Sequence, residues 1–309
     1  MDYNLLIAVL MSAITAGTPL LFASLGELIT ERAGVLNLGV EGIMLIGAIS
    51  GFIVAQSTAN PWLGVIFAML AGMLIALIHA FLTITLKANQ VVSGLAITLF
   101  GTGLSGFIGK SYVGTILPQS FKAVSIPFLT DIPFFGPVLF KHDALVYLSY
   151  ILVIAVYVFI YRTTPGLKLR ALGENPAAAD AMGIDVFKLR YIYVIIGGAL
   201  CGLSGAYLSL AYAPSWLENM TAGRGWIAVA LVIFALWNPI RALIGSYLFG
   251  GIDALGFHLQ VIGVPVSVFL LNMLPYLFTI LVLVLVLAYK KSRTASPASL
   301  GVPYDREER

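Results

Sequence analysis

Apolar residues run along this chain in long unbroken blocks, not in the alternating or one-faced patterns of soluble strands and helices. A bilayer's hydrocarbon core takes about 20 residues of helix. Five blocks come to about that length without interruption, at 5–25, 62–86, 143–161, 191–213 and 266–289. Two more, 35–55 and 91–109, are broken by glycine and polar residues. The stretch 226–257 divides at Asn238-Pro239 into two short spans, because proline lacks a backbone donor and disfavours helix at the residue before it. The pattern predicts an all-α, polytopic helical membrane protein with about nine transmembrane helices.

Composition agrees. Of the 309 residues 60% are hydrophobic and 10% charged, against about 25% charged in soluble domains, and the mean hydropathy is +1.00. The net charge of +3 is too small to point to a nucleic-acid partner; its placement says more. Arg162, Lys168, Arg170, Lys188 and Arg190 gather in the loop 162–190, and Lys290, Lys291 and Arg293 follow the last apolar block. Basic residues favour the cytoplasmic side, and the four spans between these two clusters allow both to lie there. Working back, Arg32, Lys87 and Arg241 also fall inside and the N-terminus outside. Of the 17 Lys and Arg, only Lys110, Lys122, Lys141 and Arg224 are then outside, which leaves 13 inside. Met1-Asp2-Tyr3-Asn4 lacks a cationic n-region, so the first block is expected to stay as a span. The lone cysteine, Cys201, lies in an apolar run and is expected to be a packing residue.

Residues 1–293 therefore form the transmembrane domain, and the polar tail 294–309 is expected to be disordered. The outer loop 110–142 carries Pro118, Pro127, Pro133 and Pro137, with Phe128, Phe134 and Phe135 suited to an interfacial position. Gly47 with Gly51, and Gly198 with Gly202, form GxxxG pairs of the kind that let helix backbones approach closely in lipid.

The loop 162–190 also contains a short, well-bounded helix. Asn175 suits an N-cap, Pro176 the first helical position, Gly183 a left-handed stop, and Ala177, Ala178, Ala179 and Ala181 the turns between. A small-faced helix between basic flanks suits docking into a groove of another protein; a solvated cytoplasmic loop is the other reading.

The run from Arg170 to Ile184, followed by Gly197 to Gly205, closely resembles the coupling segment of the ABC importer permeases that serve simple sugars, nucleosides and branched-chain amino acids. That resemblance implies a helix seated in a cleft of a separate ATPase, with Arg170, Gly173, Asn175, Pro176, Ala178 and Gly183 as coupling residues. A second run, Gly26 to Met44, and a third, Gly223 to Pro239, resemble the nucleoside branch, whose receptors are lipoproteins of the basic-membrane-protein type. The ribose branch has an Ile-Asp-Leu-Ser-like sequence where Leu36-Asn37-Leu38-Gly39 stands here. The family implies three protein partners: an ABC ATPase subunit, a second and different permease subunit, and an extracytoplasmic substrate-binding lipoprotein. It implies residence in a bacterial cytoplasmic membrane. No cofactor is expected on this chain; ATP and magnesium belong to the partner ATPase.

Polar residues within spans are the remaining signal. Glu41 lies in an apolar helix, where an ionised carboxylate costs about 2.5–3.5 kcal/mol at the bilayer centre. It is expected either to line the substrate pathway or to be held in a structural hydrogen bond. Asn37, Asn89, Gln90 and Ser93 cluster where spans begin or break; their amides and hydroxyls suit a neutral polar solute, while helix capping would use Asn89 and Ser93 equally well. Glu27, Glu31 and Arg32 sit at the inner boundary, and His79 stands alone without metal-ligand spacing. Asp253 is placed near an outer helix end, and Glu218, Arg224 and Trp226 on an outer loop facing a receptor. No G-x-x-x-x-G-K-[ST] phosphate loop is present, and no nucleophile–base pair. Sugar and branched-chain amino acid import, and a self-sufficient secondary transporter, stay as alternatives to nucleoside import.

Overall fold

The computed structural model describes residues 3–261, 267–288 and 296–306. Lys290, Lys291 and Arg293, and with them part of the charge argument above, lie outside the described residues. The chain is helical nearly throughout: α1 (Tyr3–Arg32), α2 (Val40–Thr58), α3 (Pro61–Ala80) and α4 (Gln90–Gly109) come first. The outer loop follows, with strands β1 (Val124–Ser125) and β2 (Lys141–His142) pairing antiparallel on either side of α5 (Phe135–Phe140). Next come α6 (Ala144–Arg162), α7 (Thr164–Glu174), α8 (Pro176–Ala181), α9 (Val186–Tyr207), α10 (Arg224–Phe234), α11 (Pro239–Val261) and α12 (Val268–Ala288).

Each of the nine apolar blocks falls on a helix, and the count of nine spans is not confirmed. Among the described residues seven helices are long and apolar enough to cross a membrane. Helix α10 has 11 residues, about 16 Å at 1.5 Å per residue, half of a hydrocarbon core about 30 Å thick. The chain leading into it is irregular. Residues 213–223 start beside the outer loop, where Trp216 and Gly114 share a backbone hydrogen bond of 3.1 Å. Helix α10 then ends beside Trp237, whose carbonyl accepts from Arg32 of α1 at 3.2 Å. The run at 226–257 does break where expected: the Asn238 side chain accepts from Ile240 and Arg241, and Pro239 opens α11.

Helix α9 is the axle of the bundle, buried along most of its length against α1, α2 and α3. Its small residues make this possible. A Cβ on Gly47 would lie 2.5 Å from the Gly202 carbonyl, and one on Gly72 would collide with the Gly198 carbonyl. Backbone meets backbone at these crossings, as the GxxxG pairs predict. Cys201 is fully buried on the same helix, packed toward Ala23 of α1.

The described part of the tail, residues 296–306, lies along the loop 162–190 instead of leaving it. Ser299 gives its N–H to the Gly173 carbonyl at 2.8 Å and its hydroxyl to the Leu172 and Gly173 carbonyls. Arg306 forks onto Asp180 at 2.8 and 2.7 Å, and Tyr304 donates to the same carboxylate at 2.9 Å. Lys87 pairs with Asp305. A polar segment finds polar partners here.

Candidate functional site

Two breaks interrupt the helical bundle, and each buries backbone groups away from solvent. Such irregular backbone persists only where protein satisfies it. The first break is 33–39, between α1 and α2. Glu27 accepts from the Asn37 N–H at 2.9 Å, and Gln90 from the Leu36 N–H at 2.7 Å. The Leu36 carbonyl meets His79 Nε2 at 3.0 Å, and His79 Nδ1 meets the Ser93 hydroxyl at 2.9 Å. Thr98 donates to the Leu38 carbonyl at 2.9 Å, and Arg190 to the Ala33 carbonyl at 3.1 Å. The Asn37 side chain turns back to accept from Gly39 at 2.9 Å. Asn37, Gln90 and Ser93 are therefore brought together, joined by His79 and Glu27. Asn89 stands apart: it is exposed and caps α4 by accepting from Val92 at 3.1 Å.

The second break is the approach to α10. The first four N–H groups of a helix lack partners within it and carry partial positive charge. Glu41, in the first turn of α2, meets them. Its carboxylate accepts from the Thr221 hydroxyl at 2.5 Å, the Gly223 N–H at 2.8 Å and the Gly225 N–H at 2.6 Å. A Cβ on Gly225 would come 2.6 Å from the Glu41 carboxylate, so glycine is required for the approach. The turn leading in is tight, with Asn219, Ala222 and Gly223 all at positive φ, and Tyr276 of α12 donates to the Ala222 carbonyl at 3.0 Å. Of the two roles open to Glu41, the geometry fills the structural hydrogen bond. On the inner side Trp237 donates to Glu31 at 2.5 Å, and Arg32 reaches the Trp237 carbonyl, which places Glu31 and Arg32 in the joint between α10 and α11.

Sequence reasoning placed Arg224 and Trp226 on an outer loop; the structure puts both in the first turn of α10, and Asp253 in α11. Arg224 pairs with Asp253 of α11 at 3.1 Å, and its guanidinium lies over the Tyr212 ring at 5.5 Å. Two cavities, of about 350 and 690 Å³, share this ion pair. Their walls include Met11, Thr15 and Leu20 of α1. Thr15 lies about 18 Å along the helix from Tyr3 and about 25 Å from Arg32 at 1.5 Å per residue. The pair is thus at mid-height. Glu218 remains in the irregular segment, beside Gly106. The signal available in sequence was two turn-prone residues, Asn219 and Gly223, ahead of a helix too short to span.

The loop 162–190 folds as its local chemistry predicts. The Asn175 side chain accepts from the Ala178 N–H at 2.9 Å, Pro176 opens α8, and Gly183 stops it at φ +78°. Ala177, Ala178, Ala181 and Met182 are exposed, Met182 by 82%. Arg170 and Gly173 belong to a different part. Arg170 lies over the Tyr161 ring at 5.6 Å, and a Cβ on Gly173 would collide with the Arg32 carbonyl. These two anchor α7 to the bundle, while Asn175, Pro176, Ala178 and Gly183 shape the exposed helix.

Residues 9–288 match the model of a family described as the branched-chain amino acid transport system / permease component. A putative glucose ABC transporter permease protein of Haloferax volcanii is 46% identical, over 96% of this chain and 97% of its own. A guanosine ABC transporter permease protein of Bacillus subtilis is 36% identical over the whole of both chains. A nucleoside ABC transporter permease protein of Lactococcus lactis is 35% identical over 97% and 98%. A bundle of bilayer-length helices, with a family match over nearly its whole length, makes this chain a multi-pass ABC transporter permease subunit of the branched-chain amino acid transport system / permease component family.

Proposed function

We propose that this subunit conducts nucleosides inward across the cytoplasmic membrane, driven by a separate ATPase and supplied by an extracytoplasmic binding lipoprotein. The observation that carries the ATPase partnership is α8: a capped, small-faced helix held out from the bundle, with Met182 at its exposed end. Short stiff helices of this kind fit a groove, and α7 ties this one rigidly to α1 through Gly173. A closing ATPase would push on α8 and so on the joint where Arg32, Glu31 and Trp237 meet. Arg170, Gly173, Asn175, Pro176, Ala178 and Gly183 are the coupling residues of this proposal. The chain itself carries out no bond chemistry; ATP and magnesium act on the partner.

For the substrate, the guanosine and nucleoside permeases of similar sequence support a nucleoside. The relative at 46% identity is named for glucose, and this supports a simple sugar as the second reading. Asn37, Asn89, Gln90 and Ser93 have neutral donors and acceptors, but the first break or a helix cap already uses them, so we assign them to structure. A second, different permease subunit completes the pathway. Uptake of labelled guanosine, uridine, glucose and leucine by cells with and without the gene tests the assignment. Loss of nucleoside uptake supports it; loss of glucose uptake alone transfers it to sugars, and loss of leucine uptake alone overturns both. Co-purification with an ATPase tests the partnership.

A further inference from the structure

The Arg224–Asp253 ion pair is in an unusual place. It lies at the mid-height of α1, yet Asp253 is 44% exposed and Arg224 18%. A charge pair open to hydrocarbon is strongly disfavoured, so ionisable groups at this depth face a water-filled cavity or another protein chain. Both cavities at this level are bounded by the pair, and each has the volume of a small-molecule site. Asp253 Oδ2 takes the Arg224 hydrogen bond, and Oδ1 takes none from the described residues. Aromatic rings flank the pair: Tyr212 beneath the guanidinium, Phe249 and Tyr276 in one cavity, and Phe257 in the other.

Resting on the importer reading above, we propose that Arg224 and Asp253 form the mid-membrane binding station for a neutral, hydroxyl-rich ring solute. The pair has no net charge, so it gives neither anions nor cations an overall advantage. Arg224 Nη1 gives to the Met220 and Thr221 carbonyls at 3.5 and 3.4 Å and Nη2 to Asp253, which leaves the second Nη2 proton as a donor beside a carboxylate acceptor. Two adjacent hydroxyls match that arrangement, one donating to Asp253 and one accepting from Arg224. The flanking rings supply flat apolar surface for a furanose, a pyranose or a base. A site that hydrogen-bonds a hydroxyl rejects the analogue lacking it, because its own polar groups are then left unpaired. The irregular entry 213–223 delivers Arg224 to this depth, and the Glu41 cap holds it there.

The test is uptake by cells carrying the complete transporter, with membrane levels measured by immunoblot. Labelled uridine is compared with 2′,3′-dideoxyuridine, and glucose with 2,3-dideoxyglucose. Asp253→Asn is expected to lower uptake of the diol solute about tenfold and to change uptake of its deoxy analogue less than twofold. Equal loss of both would make the pair merely structural, and no change in either would exclude it from the path; either result overturns the proposal and leaves the importer reading standing. Wild-type uptake of leucine alone would overturn both together. Should Asp253→Asn fail to reach the membrane, Asp253→Glu keeps the charge and shifts the carboxylate by one methylene. That variant is expected to cut the diol-to-deoxy uptake ratio several-fold at wild-type membrane level, and an unchanged ratio overturns the proposal.

Discussion

The carboxylate of Glu41 accepts the backbone N–H of Gly225 at 2.6 Å, across 184 residues of sequence. Glu41 opens one helix and Gly225 opens another, and the contact turns a buried acid into the cap of a half-length helix. Three donors converge on this carboxylate, and a helix N-terminus stabilises negative charge. Glu41→Ala leaves those donors buried without a partner, at about 1–3 kcal/mol each and not fully additive. We expect a loss of about 3 kcal/mol or more, with Glu41→Gln losing about half as much. Thermal unfolding of the detergent-solubilised protein measures it, and wild-type stability in Glu41→Ala would refute the capping role.

Gly225→Ala attacks the same contact from the other side. Its Cβ would lie 2.5 Å from the Glu41 backbone nitrogen, and overpacking of this kind costs about 1–3 kcal/mol. The substitution should lower stability and, by shifting Arg224, transport as well. Combining it with Glu41→Gln should cost less than the sum of the two, because both act on one contact. Full additivity would show that they act separately.

Gly183 ends α8 at φ +78°, with open space where a Cβ would go. A valine there meets only backbone strain, about 1–2 kcal/mol, whereas asparagine tolerates the left-handed region. Gly183→Val is therefore expected to insert normally but to lose ATP-dependent uptake, and Gly183→Asn to keep most of it. Equal uptake by the two variants would separate α8 geometry from coupling.

The tail is held by polar contacts. Its bonds to Asp180 push the Arg306 guanidinium above its ordinary pKa, and an arginine is charged at every physiological pH in any case. Arg306→Gln should speed chymotrypsin cleavage at Tyr304 in inside-out vesicles several-fold, and high salt should do the same to the wild type. A cleavage rate insensitive to both would show that the backbone contacts of Ser299 suffice.

Topology is checked with single cysteines in a Cys201→Ala background. Lys122→Cys in the outer loop and Met182→Cys beyond α8 are expected to react with an impermeant thiol reagent from opposite sides of the membrane. Labelling of both from one side would overturn the orientation.

Much of this was legible in one dimension. Each of the nine apolar blocks located a helix, because a bilayer demands a fixed length of apolar helix wherever it is crossed. Asn175, Pro176 and Gly183 marked the limits of α8, because caps act within a few residues of themselves. Gly198 and Gly202 marked α9 as a helix that others approach closely. What sequence could not supply was depth and long-range partnership. Arg224 looked like an outer-loop residue because the irregular segment 213–223 has no periodicity to show that it brings Arg224 against Asp253 of α11. Asn37, Gln90 and Ser93 looked like a solute path because their partners, the backbone groups of a buried break, have no side-chain signature. The tail looked disordered because Asp180, which holds it, is 126 residues away. Length and local capping are properties of a segment and can be read from it. Which buried donor meets which acceptor is decided only when segments far apart in the chain are packed together.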